Sequence, residues 1–209
     1  MPERLSLFAL FFPVFLFSLS FHEASHAWTA NRLGDPSARL VGRMTLNPLA
    51  HIDWIGTVLF PLMMFLFPGL LLFGWAKPVP VNPRNLQGRH GRLKVAMAGP
   101  LSNIFLAILF SLILRSLDHL PLEGFLLGIF SQMFETGVYL NLMLAFFNLI
   151  PIPPLDGSQI LDDLLPYQHR HILDKISRYG FLIIFVALYS GALRYLTIPV
   201  FWVARLLLP

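Results

Sequence analysis

His22-Glu23-Ala24-Ser25-His26 reads H-E-x-x-H inside an apolar run with helical character. On a helix, a four-residue spacing stacks both imidazoles on one face, where they can bind a single metal ion. Glu23, turned about 100° around the axis, stands close enough to reach a water at that metal without becoming a ligand. The chemistry this suits is hydrolysis: the metal acidifies water and the carboxylate accepts its proton as the nucleophile attacks. Three ionisable groups in an apolar helix are costly unless they pair or bind metal, which argues against a merely packed polar face.

A catalytic zinc site takes three protein ligands and keeps one position open, so a third His or carboxylate is required from elsewhere. The chain has no cysteine, which excludes thiolate ligands and disulfides. Asp156 is the strongest candidate. It lies in Asn148-Leu149-Ile150-Pro151-Ile152-Pro153-Pro154-Leu155-Asp156-Gly157, where the prolines break a helix and Gly157 permits a sharp turn. Broken backbone at membrane depth is tolerated where it lines a cavity or is buried in protein. Taken alone, the segment fits a surface loop with a solvated Asp equally well; beside the histidine motif the ligand reading is the better one.

The elements that must position these groups are apolar. With 56% hydrophobic residues, 12% charged residues and a mean hydropathy of +0.68, the 209-residue chain lacks the charged surface of a soluble globule. Apolar runs at about 5–22, 54–74, 95–117, 124–150 and 180–208 are near or above the length that spans a bilayer. The expectation is an all-α membrane protein: a polytopic helix bundle of five to six apolar segments in one domain, 1–209. Its catalytic core would lie at about 5–165 and its C-terminal helices at about 178–208. Arg194, costly inside the last run, marks a break before an interfacial helix carrying Trp202 and Arg205. An N-terminal signal peptide is disfavoured because the first run continues into the histidine motif.

A net charge of +4 does not indicate nucleic acid, since the basic residues sit in short loops between apolar runs. Pro61, Pro68 and Gly69 interrupt the second run, and Pro78, Pro80 and Pro83 follow it. We read 54–80 as a helix with an extended return, re-entrant rather than crossing. Loops 31–53, 75–94 and 151–178 then share one side with eleven Lys and Arg residues, Arg32 to Arg178, leaving Arg4 and Arg115 near the other. The positive-inside bias makes the shared side cytoplasmic.

Together, the histidine motif, Ala98-Gly99-Pro100-Leu101-Ser102-Asn103 and the segment 148–157 resemble the site-2 protease family of intramembrane zinc metalloproteases, peptidase family M50, in a small form without a PDZ domain. The resemblance runs from His22 to Gly157. It implies one zinc ion held by His22, His26 and Asp156, Glu23 as catalytic carboxylate, Asn148 as an active-site amide, and a transmembrane protein as substrate. It also implies a multi-pass protein of a prokaryotic plasma membrane whose partner is the lipid bilayer. An amide such as Asn148 suits an oxyanion in a dry site, although helix–helix hydrogen bonding explains it nearly as well. A membrane metal-binding protein or zinc transporter using the same three ligands is the alternative.

Gly99, Pro100 and Asn103 are read as packing contacts, because small residues in membrane helices usually are. His51 is left out of the metal set, since a fourth protein ligand would close the water position. His90, His119, His169 and His171 are assigned to surface loops. The apolar insertion 44–75 departs from the simplest family pattern, and Leu72 to Val81 is placed to offer a strand edge to an unwinding substrate.

Overall fold

The computed structural model describes residues 2–67, 70, 74–117, 124–166, 168 and 170–209. His119, His169 and residues 72 and 73 of the proposed strand edge lie outside them. The described elements are helical: α1 (Pro2–Arg32), α2 (Ser37–Leu40), α3 (Trp54–Leu66), α4 (Gly91–Leu117), α5 (Phe125–Asn148), α6 (Asp156–Leu164), α7 (Arg170–Ser177), α8 (Gly180–Tyr189) and α9 (Thr197–Leu207). No strand occurs among the described residues, and 74–82 runs as irregular chain.

Two helices, Arg4–Arg32 and Gly91–Leu117, are long and apolar enough to cross a bilayer. α5 is comparable in length but is diluted by Gln132, Glu135 and Asn141. α1, α4 and α5 form the central bundle, and α9 packs against α5. Val14, Ala107, Phe110, Val138, Leu142, Val200 and Ala204 make its largest buried apolar cluster. The C-terminal run breaks where expected, with α8 and the chain from Ala192 to Leu207 bent by 82° about Gly191, which has φ +76°, and with Arg194 in the turn that follows. The end of α9 is held by α4: Ser111 Oγ donates to the Leu207 carbonyl, as does Arg115 through Nη2 at 3.0 Å.

Three loops meet at one end of this bundle. Gln87 N–H donates to the Leu33 carbonyl at 2.7 Å, tying the start of α4 to the end of α1. Arg92 donates to Asp162 at 2.6 Å and His90 pairs with Asp163 at 2.7 Å, tying α4 to α6. α3 runs back along α1, with Phe65 at its far end 5.2 Å from the Phe8 ring and 5.3 Å from the Phe11 ring, and the segment from Trp75 to Lys77 is bonded near its start. Trp75 N–H donates to the Gly56 carbonyl at 3.2 Å, Thr57 Oγ1 to the Trp75 carbonyl at 2.8 Å, and Lys77 N–H to the His51 carbonyl at 2.8 Å. The chain leaving α3 thus returns beside the helix's own start.

Asp35 anchors the returning segment. Fully buried just beyond α1, it accepts from Ser37 Oγ (2.6 Å), Asn82 N–H (2.7 Å), Asn85 Nδ2 (2.9 Å) and Ser37 N–H (3.2 Å). Burial works against its charge, but these donors outweigh burial and hold its carboxyl below the ordinary value of 3.8. Arg43 adds a bond to the Pro78 carbonyl at 2.8 Å.

Candidate metal centre

His22 and His26 sit in the second half of α1, one turn apart, with their Nε2 atoms 3.1 Å from each other. Asp156, the first residue of α6, brings Oδ2 to 3.2 Å from His22 Nε2 and 3.3 Å from His26 Nε2. All three residues are buried, and among the described residues they are the one cluster with metal-ligand geometry. Tetrahedral bonds of ~2.05 Å would separate ligand atoms by ~3.3 Å, so the near-equilateral triangle matches zinc. Asp156 Oδ2 has no hydrogen-bond donor, an orphaned buried oxygen that a cation would satisfy.

Both imidazoles are set with Nε2 towards this point. His26 Nδ1 donates to the Val95 carbonyl at 2.7 Å, and His22 Nδ1 donates to Asn103 Oδ1 at 2.6 Å. A proton on Nδ1 leaves the Nε2 lone pair for metal. Pro100 lacks the N–H that would bond the Ala96 carbonyl, which loosens the turn of α4 presenting Val95.

Gly99 is required by close approach. A Cβ there would stand 2.4 Å from His26 Nε2 and 2.6 Å from His22 Nε2, in the space between the donors. Gly157 has the same kind of role: its Cβ would meet the Leu149 carbonyl oxygen at 2.3 Å, so α6 can start against the end of α5 only with glycine there. Gly99 and Asn103, read from sequence as packing contacts, therefore touch the histidines directly. The sequence signal was present, in a Gly-Pro-x-x-Asn run on a long apolar helix, but small residues that admit a helix and small residues that admit an imidazole look alike.

Glu23 accepts through Oε2 from Val79 N–H at 2.9 Å. It lines the same cavity as the three donors, about 540 Å³ in volume, walled by α1, the returning segment Gly74–Val81, and Phe147, Asn148 and Gln159. Asn148 also reaches the cavity, though its Nδ2 donates to the Leu144 carbonyl at 2.9 Å within its own helix. His51 is not among the cavity's lining residues; it is 2% exposed, not solvated, and donates from Nε2 to the Thr45 carbonyl at 2.9 Å.

An apolar helix carrying two histidines, closed by an aspartate from a broken segment and faced by a glutamate, is the arrangement of a membrane metalloprotease. Residues 125–191 match the model of peptidase family M50. The chain is 38% identical over 187 residues to YwhC of Bacillus subtilis, named as a zinc metalloprotease, covering 87% of this chain and 81% of that protein. It is 32% identical over 197 residues to Rip2 of Mycolicibacterium smegmatis, also named as a zinc metalloprotease, covering 94% of this chain and 73% of that one. A protein of Methanocaldococcus jannaschii with the same kind of name, MJ0611, is 41% identical over 68 residues, 32% of each chain. No solved structure matches this chain. The chain belongs to peptidase family M50, the site-2 protease family, and is a zinc metalloprotease with two helices long and apolar enough to cross a membrane.

Proposed function

We propose that this protein is an intramembrane endopeptidase that hydrolyses a peptide bond within a transmembrane segment of another membrane protein. The observation carrying this reading is the placement of the three donors and Glu23 around one cavity, directly after the apolar stretch of α1. His26 lies six residues before the end of α1 and His22 ten, or about 9 and 15 Å along the axis. That setback from the exit of α1 supports a site below the membrane surface.

His22, His26 and Asp156 hold the zinc, which when bound supplies the Lewis acidity that makes water a competent nucleophile near neutral pH. Glu23 takes the proton from the attacking water and delivers it to the leaving amine. Val79 N–H fixes one carboxylate oxygen and leaves the other to carry that proton. Asn148, at the cavity wall, turns its amide from the Leu144 carbonyl to the developing oxyanion. A peptide bond in a helix is shielded by its own turns, so the substrate segment unwinds to present its carbonyl in the cavity.

The returning segment favours re-entry of 54–80 over a full crossing, because its hydrogen bonds to Gly56 and His51 bring it back to the end it left. On that reading the five to six apolar segments form one catalytic unit. The loops gathered at the α1 exit lie in the cytoplasm of a prokaryotic cell, and the site opens towards that side. The exposed edge of the segment is blunted, since Pro78 and Pro80 have no N–H to offer a substrate strand. With the Trp75, Lys77 and Val79 N–H groups already bonded, any pairing there rests on the remaining N–H groups and the carbonyls.

The test is cleavage of candidate single-span proteins in reconstituted vesicles by wild type and Glu23→Gln. The variant should retain zinc and lose turnover about 10²- to 10⁴-fold; undiminished cleavage would remove Glu23 from the mechanism.

A further inference from the structure

Behind His22 a chain of buried amides crosses three helices. Asn103 on α4 accepts from His22 Nδ1–H at 2.6 Å, and its Nδ2 donates to Asn141 Oδ1 on α5 at 2.8 Å. Asn141 Nδ2 donates in turn to the Gly137 carbonyl at 2.8 Å and to Ser18 Oγ of α1 at 2.9 Å. Ser18, Asn103 and Asn141 are each fully buried, so no water can substitute for a lost partner.

An amide can in principle face either way, and so can an imidazole proton. Here one group has no choice. The Gly137 carbonyl is only an acceptor, so the Asn141 atom facing it must be nitrogen. Asn141 therefore presents oxygen to Asn103, which must answer with its own nitrogen. That leaves oxygen facing His22, and the imidazole must carry its proton on Nδ1. A flipped Asn103 would set oxygen against oxygen at Asn141 and an N–H against Nδ1, forcing the histidine proton onto Nε2, where the metal binds.

We propose that Asn141 is a positioning residue for the metal centre: held by the Gly137 carbonyl, it fixes the orientation of the Asn103 amide and through it the metal-binding tautomer of His22. The inference rests on His22 being a zinc ligand and adds a role for a residue that touches neither metal nor substrate. Outer groups of this kind typically alter metal affinity 10- to 100-fold.

Zinc competition against a chromophoric chelator tests it on purified protein in detergent. Asn141→Leu should weaken zinc binding about 10- to 100-fold. Asn103→Asp supplies two equivalent oxygens and cannot be flipped into a donor, so Asn103→Asp/Asn141→Leu should bind zinc no more weakly than Asn103→Asp alone. Unchanged affinity in Asn141→Leu, or the same loss in both backgrounds, overturns the proposal. An arm that reads the wild type covers poor folding of Asn141→Leu. Imidazole nitrogen NMR of metal-free wild type, with His22 identified by the signal lost in His22→Gln, should show the proton on Nδ1; a proton on Nε2 refutes the relay. Failure of the site itself reads differently, since wild type would then bind no zinc in the competition assay.

Discussion

Gly99→Ala puts the smallest possible side chain into the space between the ligands. The new methyl carbon would lie 2.4 Å from His26 Nε2, 2.5 Å from His22 Cε1 and 2.6 Å from His22 Nε2, where uncrowded contacts are about 3.5 Å or more. The rings cannot simply slide away, because His26 Nδ1 is bonded to the Val95 carbonyl and His22 Nδ1 to Asn103. Overpacking of this degree costs about 1–3 kcal/mol. If relief comes from turning the imidazoles off the metal position, that cost appears as weaker binding, about 5- to 150-fold in zinc affinity. Zinc content after purification and chelator competition read the effect. Gly128→Ala is the control, since nothing lies within 4 Å of its Cβ position and it sits in a helix, so it should be neutral or slightly stabilising. Gly99→Ala with wild-type zinc affinity would refute the close-approach argument and move the metal elsewhere.

Removing zinc with a chelator should lower the melting temperature, with full recovery on readdition; at free zinc 100 times its dissociation constant the linkage is worth about 2.7 kcal/mol. Asp35→Ala leaves Asn82 N–H and its companions unpaired and should cost about 1–3 kcal/mol in thermal or denaturant unfolding. Because the folded-state pKa of Asp35 is depressed, its contribution is present in full above the ordinary 3.8 and is lost only as pH falls below that value through the folded pKa. The wild type minus Asp35→Ala stability difference should therefore stay flat from pH 7 to about 5 and shrink in more acidic buffer. Arg92→Ala should change stability by no more than about 1 kcal/mol despite its 2.6 Å bond to Asp162, because its side chain is 38% exposed.

The sequence by itself determined what is local. Helical periodicity is fixed by backbone geometry, so His22 and His26 had to share a face and Glu23 had to stand beside them. The prolines before Asp156 had to break the helix, and the long apolar runs ending near Arg32 and Leu117 had to form helices able to cross a membrane. The C-terminal break near Arg194 was legible for the same reason, a charge that a continuous apolar span would not tolerate. What only the tertiary structure decided is which distant groups meet. Nothing in Gly99 or Asn103 alone distinguishes a helix contact from an imidazole contact, and the crossing of α1 with α4 settles it. Glu23 finds the N–H of Val79, a partner 56 residues away, only because the chain after α3 returns. The orientation of the amides behind His22 is decided by one carbonyl on a third helix. Spacing along the chain sets the two histidines, whereas packing among α1, α4 and α5 sets the protons they carry.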